Sequence, residues 1–168
     1  QDPYNNHINY YRFPNALPKE LIGQLRTMLD TKELKDAEVY KKGYDTVNTI
    51  ARRTKVYWIP KTDEYGNIYQ MFMQFIQKCN DDFYKFKISE IVENIQYSVY
   101  TAEDNGHYDW HIDMIPDNTR RKLSLVCHLS EPSEYEGGEL QIQLGDIVVP
   151  EKEQGTIVIF PSYLLHRV

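Results

Sequence analysis

Apolar residues recur along this chain with two different periods. Leu21, Ile22, Leu25, Met28 and Leu29 fall on one face of a helix that runs to about Asp30, introduced by the start signals Asn15 and Pro18. A longer stripe, Ile68, Met71, Phe72, Phe75, Ile76, Cys79 and Phe83, repeats near 3.6 residues and predicts a second amphipathic helix packed on a core. Short extended runs lie around these helices: Tyr10 to Phe13, and Val56 to Ile59 closed by Pro60, with turn chemistry from Asp63 to Asn67. The polar stretch 41–54 reads as a loop or irregular strand lying over a pocket.

From about residue 88 the period drops to two. Ile91, Ile95, Tyr97 and Val99 mark one extended run. Leu123 to Ser130, Leu140 to Leu144, Ile147 to Val149 and Thr156 to Phe160 follow, separated by Gly, Pro and Asp turns, with His166 ending the last. Within 123–130, Leu123, Leu125, Cys127 and Leu129 form an apolar face suited to the helices, while Ser124, Val126 and His128 face into the roll. Strands without intervening helices argue for an antiparallel sandwich or jelly roll. The expected fold is mainly β with N-terminal helices (α+β), the helices packed on the outer face of one sheet. A single domain is expected over 1–168, with helical support over about 1–87 and the roll over about 88–168.

Composition narrows the partners more than the fold. A chain of 168 residues suffices for one core. The formal charge of −6 repels phosphate backbones, and the basic cluster Arg120-Arg121-Lys122 is too short for a nucleic-acid footprint. No apolar run approaches the ~20 residues of a membrane span, and the N-terminal residues lack a signal-peptide core. Cys79 and Cys127 sit inside a helical and a strand pattern, so free buried thiols in a reducing cytoplasm are expected. The first residue is not Met and Val168 falls within an apparent strand, so the sequence reads as part of a longer chain.

The candidate chemistry is His111-Ile112-Asp113, preceded by the run Gly106-His107-Tyr108-Asp109-Trp110. On an extended strand residues i and i+2 share a face, so the imidazole and the carboxylate can converge on one ion. His166, 53 residues past Asp113, supplies a third ligand. Two imidazoles and one carboxylate on one face of a metal leave the opposite positions open, as in non-haem Fe(II) oxygenases and unlike a closed structural zinc site. Trp110, of opposite parity, reads as a core residue, His107 as a surface one, and Gly137-Gly138 as a turn.

Together, the aromatic run, His111-x-Asp113, the turn Gly137-Gly138-Glu139-Leu140 and the ending Pro161-Ser162-x-x-x-His166 resemble the core of the Fe(II)- and 2-oxoglutarate-dependent oxygenases, in their prolyl 4-hydroxylase-like branch. The likeness covers about Ile95 to Val168 and implies a double-stranded β-helix, the jelly roll of that superfamily. It makes His111, Asp113 and His166 the catalytic iron ligands, with Fe(II), 2-oxoglutarate as cosubstrate, O2, and ascorbate as a candidate reductant. Tyr100 matches the tyrosine lining the 2-oxoglutarate pocket. His128 stands where the family puts a polar residue, often tyrosine, against the distal carboxylate, and an imidazole can still donate one hydrogen bond there.

The family also places an Arg or Lys roughly ten residues beyond the second His, because a buried carboxylate without a cation is costly. That position, with the final strand of the roll, is expected beyond Val168; within the sequence Lys122 is the nearby substitute. The implied reaction decarboxylates 2-oxoglutarate to succinate and CO2 and hydroxylates an unactivated C–H bond, most often of a prolyl residue. The implied partner is a peptide, protein or small-molecule substrate, with no nucleic acid and no membrane. Two alternatives stand beside this reading: a cupin-like metal enzyme that does not use 2-oxoglutarate, and a non-catalytic jelly-roll binding module.

Overall fold

A computed structural model describes residues 8–41, 44–114 and 120–168. The strands are β1 (Tyr11–Phe13), β2 (Lys35–Asp36), β3 (Val39–Lys41), β4 (Tyr44–Thr46), β5 (Arg52–Arg53), β6 (Lys55–Ile59), β7 (Ile95–Val99), β8 (His107–Tyr108), β9 (Leu123–Cys127), β10 (Gln141–Leu144), β11 (Asp146–Val148), β12 (Ile157–Pro161) and β13 (His166–Arg167). The helices are α1 (Lys19–Leu29) and α2 (Gly66–Cys79), the latter continued by a π turn at Asn80–Tyr84. All strand pairing among the described residues is antiparallel. It builds the sheets β1-β12-β9, β11-β10-β13 and β2-β6-β7 and the pairs β3-β4 and β5-β8. The chain is therefore mainly β with few helices.

Alternation along β9 and β12 divides the interior into two cores. Ile157 and Ile159 point to the side where Ile22, Leu25 and Leu29 of α1 and Ile68 and Phe72 of α2 are buried, and Leu123, Leu125, Cys127 and Leu129 pack on that cluster. Val158 and Phe160 point the other way, into a second cluster with Leu140, Ile142, Leu164 and Val126. Every residue of β12 is buried because both of its faces are covered. Each fully buried Ile, Leu or Phe contributes on the order of 1.5–3 kcal/mol from area removed from water, so β12 is the most strongly anchored strand.

The entry into α1 is fixed from the turn that precedes β12. Gly155 has φ 86° and approaches the Leu17 backbone so closely that a Cβ would lie 2.6 Å from the Leu17 carbonyl oxygen. In return the Leu17 N–H donates to the Gly155 carbonyl at 3.2 Å.

Several expectations are corrected. The extended run expected from Ile91 is a strand only from Ile95. The turn expected over 63–67 is a 3-10 turn at Asp63–Tyr65 that runs straight into α2. His166 does not end β12: after Pro161 a turn closed by Leu164 N–H to Pro161 carbonyl (3.0 Å) reverses the chain into β13, which joins the other sheet. Stretch 41–54 contributes β4 and β5 and one strand end of β3, with residues 42 and 43 outside the described ones. Trp110 belongs to neither core cluster and carries the Arg167 guanidinium 4.6 Å from its ring centroid. Both cysteines are free, and no helix among the described residues is long and apolar enough to cross a membrane.

Candidate metal centre

The ligand set is assembled by a backbone bridge between two remote segments. His111 and His166 exchange both N–H to carbonyl hydrogen bonds at 3.0 Å, and Tyr108 and Val168 do the same at 2.9 and 3.0 Å. This ladder brings the two imidazoles together although they lie 55 residues apart in sequence. Asp113 lies outside any strand, in a bend whose Asp113 and Met114 N–H groups both donate to the Ser162 carbonyl, at 2.9 and 3.0 Å. Its convergence with His111 thus comes from a bend pinned to Ser162, where the sequence pattern had predicted a continuous strand.

Nε2 of His111 and Nε2 of His166 each lie 3.5 Å from Asp113 Oδ1, and the three ligand atoms fall within 4.8 Å of one another. The other ring nitrogens are occupied by backbone carbonyls: His111 Nδ1 with Asp109 at 2.7 Å and His166 Nδ1 with Leu164 at 2.9 Å. Donation from Nδ1–H to a carbonyl fixes the tautomer that leaves Nε2 bare and aimed at the centre. The donor set of two imidazole nitrogens and one carboxylate oxygen fits a divalent first-row metal with open positions.

Asp113 is held as an anion. Burial works against its charge, but the polar groups around it, the His111 and His166 rings and the Ser124 hydroxyl, keep it well below the usual carboxylate range. Ser124 Oγ donates to Asp113 Oδ2 at 2.5 Å and lies 2.9 Å from Ser162 Oγ. Arg121 donates to the Asp113 backbone carbonyl at 2.9 Å and pairs with Glu93, tying the bend to the segment before β7.

One side of the centre is walled by aromatic stacking. The Tyr108 ring lies on the His111 ring with centroids 3.5 Å apart and planes 13° apart. On it sits the buried Arg52 guanidinium, 4.2 Å from the Tyr108 centroid, which also donates to Gln96 Oε1 at 2.6 Å. Burial raises the Tyr108 phenol above its ordinary value, with the Arg52 charge opposing. Tyr108, Arg52, Ser124, Ser162 and Arg121 are the residues that pattern reading missed. Their roles arise from pairings across strands, for which alternation gives only the facing side.

One cavity is lined by the three ligands together with Tyr100, Ser124 and His128. Tyr100 follows β7 directly and is half-buried, on the parity shared with Gln96 and Ser98. His128 carries a buried Nε2 with no hydrogen-bond partner among the described residues, and so does the Oγ of Thr156. The His128 backbone N–H donates to the Thr156 carbonyl at 3.0 Å, so the two orphaned polar groups are carried by paired residues. Burial lowers the His128 imidazole below its ordinary value, with Glu153 opposing. Lys122, exposed just before β9 and six residues from His128, lines the same cavity. His107, the extra histidine a cupin-like site would draw on, is not part of the ligand group: both its ring nitrogens meet backbone carbonyls, of Asn105 (2.8 Å) and Ile50 (2.9 Å).

Comparison with known proteins agrees with this centre. Residues 95–168, the stretch that carries His111, Asp113 and His166, match the sequence model of the 2OG-Fe(II) oxygenase superfamily. A PKHD-type hydroxylase of Synechococcus sp. (strain CC9605) is 44% identical over 64 residues, 36% of this chain and 29% of that protein. A PKHD-type hydroxylase of Sphingopyxis alaskensis is 34% identical over 95 residues, 53% of this chain and 43% of that protein. The matched stretches thus span less than half the length of these relatives. Among solved structures, a Pseudomonas putida prolyl-4-hydroxylase superposes with TM-score 0.72 at 22% identity over 95% of this chain and 83% of that one. A prolyl hydroxylase from Trichoplax adhaerens, in complex with a hypoxia inducible factor oxygen degradation domain peptide fragment, gives TM-score 0.76 at 16% identity over 98% and 81%.

Proposed function

We propose that this chain is the oxygenase domain of an Fe(II)- and 2-oxoglutarate-dependent hydroxylase whose substrate is a prolyl residue in a peptide or protein. The observation that carries it is the convergence of two tautomer-fixed imidazoles and a deprotonated carboxylate at one point of a cavity that also presents an unpartnered imidazole. In this reading β9, β10, β12 and β13 belong to the two faces of a double-stranded β-helix, with α1 and α2 behind the β9-β12 face. His111, Asp113 and His166 would hold the metal. Bound there, Fe(II) with 2-oxoglutarate and O2 supplies the oxidising power that inserts oxygen into a C–H bond, with succinate and CO2 as coproducts.

The chain's own residues do the rest. Asp113 would partly neutralise the metal's charge, and the backbone carbonyls of Asp109 and Leu164, accepting from Nδ1–H, favour the neutral tautomer whose bare Nε2 can bind it. His128, neutral because it is buried, offers one N–H toward the distal carboxylate of the cosubstrate, and Tyr100 lines the way to it. Among the described residues β9 pairs only with β12 and β7 only with β6, and residues of both line the cavity between them. Two free thiols suit a reducing compartment, the cytoplasm.

The test is an anaerobic titration of the metal-free protein with Fe(II) and then 2-oxoglutarate, read by the visible charge-transfer band of the chelate. Wild type gives the band and His111→Ala does not. Succinate release stimulated by proline-containing peptides, and not by their alanine analogues, then establishes the substrate class. No band in wild type overturns the reading.

A further inference from the structure

The two oxygens of Asp113 are treated differently by the fold. Oδ1 lies 3.5 Å from both ligating Nε2 atoms, whereas Oδ2 accepts the Ser124 hydroxyl at 2.5 Å. Behind Ser124 lies Ser162 Oγ at 2.9 Å, in a residue with 0% exposure. The direction of this hydroxyl chain follows from proton counting. Ionised Asp113 can only accept, and each serine has one proton to donate. Ser124 therefore gives its proton to Asp113, and Ser162 gives its own to Ser124, so each bond polarises the next.

Both serines are rigidly placed. Ser124 stands opposite Phe160 in the β9-β12 ladder. The Ser162 N–H is bound to the Lys122 carbonyl at 2.9 Å while its own carbonyl holds the N–H groups of Asp113 and Met114. One residue thus anchors the Asp113 backbone directly and its carboxylate through Ser124.

On the reading proposed above, this arrangement controls how many metal positions the protein occupies. Two imidazoles and one carboxylate oxygen take three of six positions on an octahedral ion; a carboxylate binding through both oxygens would take a fourth. A 2-oxo acid bound through two oxygens then leaves no room for a diatomic gas. We propose that Ser124, backed by Ser162, is a positioning residue that keeps Asp113 bound through Oδ1 alone and so preserves the position for O2.

The experiment uses nitric oxide as an O2 surrogate on the anaerobic protein loaded with Fe(II) and saturated with 2-oxoglutarate, with the S = 3/2 EPR signal counted per bound iron. Ser124→Ala should keep iron and the chelate band but bind nitric oxide about tenfold more weakly, within the range typical of outer-shell changes at metal sites. Ser124→Thr, which keeps the hydroxyl, restores the signal, and Ser162→Ala shows a smaller loss in the same direction. Should Ser124→Ala fail to fold by circular dichroism, Ser162→Ala and Ser124→Thr decide by themselves. A wild-type chelate band with undiminished nitric oxide binding in the alanine variants overturns the Ser124 proposal and leaves the oxygenase reading intact. Absence of the band in wild type overturns both.

Discussion

Tyr108 lies flat on His111, its ring 3.5 Å from the imidazole, with the Arg52 guanidinium on its other side. This sandwich restrains rotation of the imidazole about its side-chain torsions, a restraint that the Nδ1 hydrogen bond to Asp109 alone does not give. Tyr108→Ala should weaken Fe(II) binding by about tenfold, the lower end of what outer-shell changes cost, whereas Tyr108→Phe retains the ring and should bind as wild type. Equilibrium metal titration of the apoprotein checks this. Equal affinities for the Ala and Phe variants would exclude the stack as a positioning device.

The grouping of His111, Asp113 and His166 was legible in the sequence because a metal site needs particular side chains, and here a His-x-Asp pair after an aromatic run is followed by a remote His. The inward face of β9 was legible because alternation assigns Leu125 and Val126 to opposite cores once a strand is recognised. What pattern could not give was the path of the chain between strands. The reversal after Pro161 that moves His166 into a different sheet, and the bend that turns Asp113 back onto Ser162, depend on a few local backbone hydrogen bonds with no periodic signature. Trp110 was misassigned for a related reason. Opposite parity to His111 places it on the outer surface, where the Arg167 guanidinium covers it.

Gly155 links the site-bearing sheet to α1, and its backbone leaves no room for a side chain. Gly155→Ala would require a left-handed φ of 86° in a residue with a Cβ and a 2.6 Å approach to the Leu17 carbonyl oxygen. The conformation alone costs about 1–2 kcal/mol, and the collision adds to it. At roughly 2–4 °C per kcal/mol for a chain of this size, the melting temperature should fall by about 5 °C or more. Gly23→Ala in α1, where a Cβ meets nothing within 4 Å, is the matched control and should leave stability unchanged or raise it. Thermal unfolding followed by circular dichroism separates them.

Metal binding should weaken in acid. Both imidazoles must be free of protons at Nε2 to bind, so protons compete with Fe(II) for those atoms. Asp113 contributes little to this dependence, because its partners hold its carboxyl well below the usual range. Fe(II) affinity measured anaerobically between about pH 5.5 and 8 should rise with pH. A flat profile would exclude the two histidines as ligands.

His107 should couple stability to pH with the opposite sign. Its two ring nitrogens face the carbonyls of Asn105 and Ile50, and a neutral imidazole has only one N–H, so both contacts are hydrogen bonds only when the ring is protonated. Those carbonyls raise the imidazole above its ordinary value; burial and Arg53 oppose, and Asp109 assists. A raised value in the folded chain means the stabilisation is complete below the ordinary imidazole range near about 6.5 and is lost as pH rises through the raised value. The difference in urea midpoint between wild type and His107→Gln should therefore shrink as pH increases. A difference that grows with pH would show that the ring is neutral and bonded on one side only.

His128 should show the reverse pH dependence and a ligand phenotype. Burial lowers its imidazole, with Glu153 opposing, so the unfolded chain binds a proton more readily than the folded one. Stability is thus intact above the ordinary imidazole range and declines as pH falls from there toward the lowered value. His128→Phe removes the group that must be kept neutral, so its unfolding midpoint should depend less on pH in that window. The same variant removes the buried Nε2 that has no partner among the described residues, and with it one donor for a cosubstrate carboxylate. Its 2-oxoglutarate affinity, read from the chelate band, should fall by about tenfold, since a hydrogen bond to a charged group contributes on the order of 1.5–3 kcal/mol. His128→Tyr supplies a phenol donor at the same place and should restore much of that affinity. If the phenylalanine variant binds 2-oxoglutarate as tightly as wild type while losing the acid sensitivity, His128 is a buried core histidine and the distal carboxylate is held elsewhere.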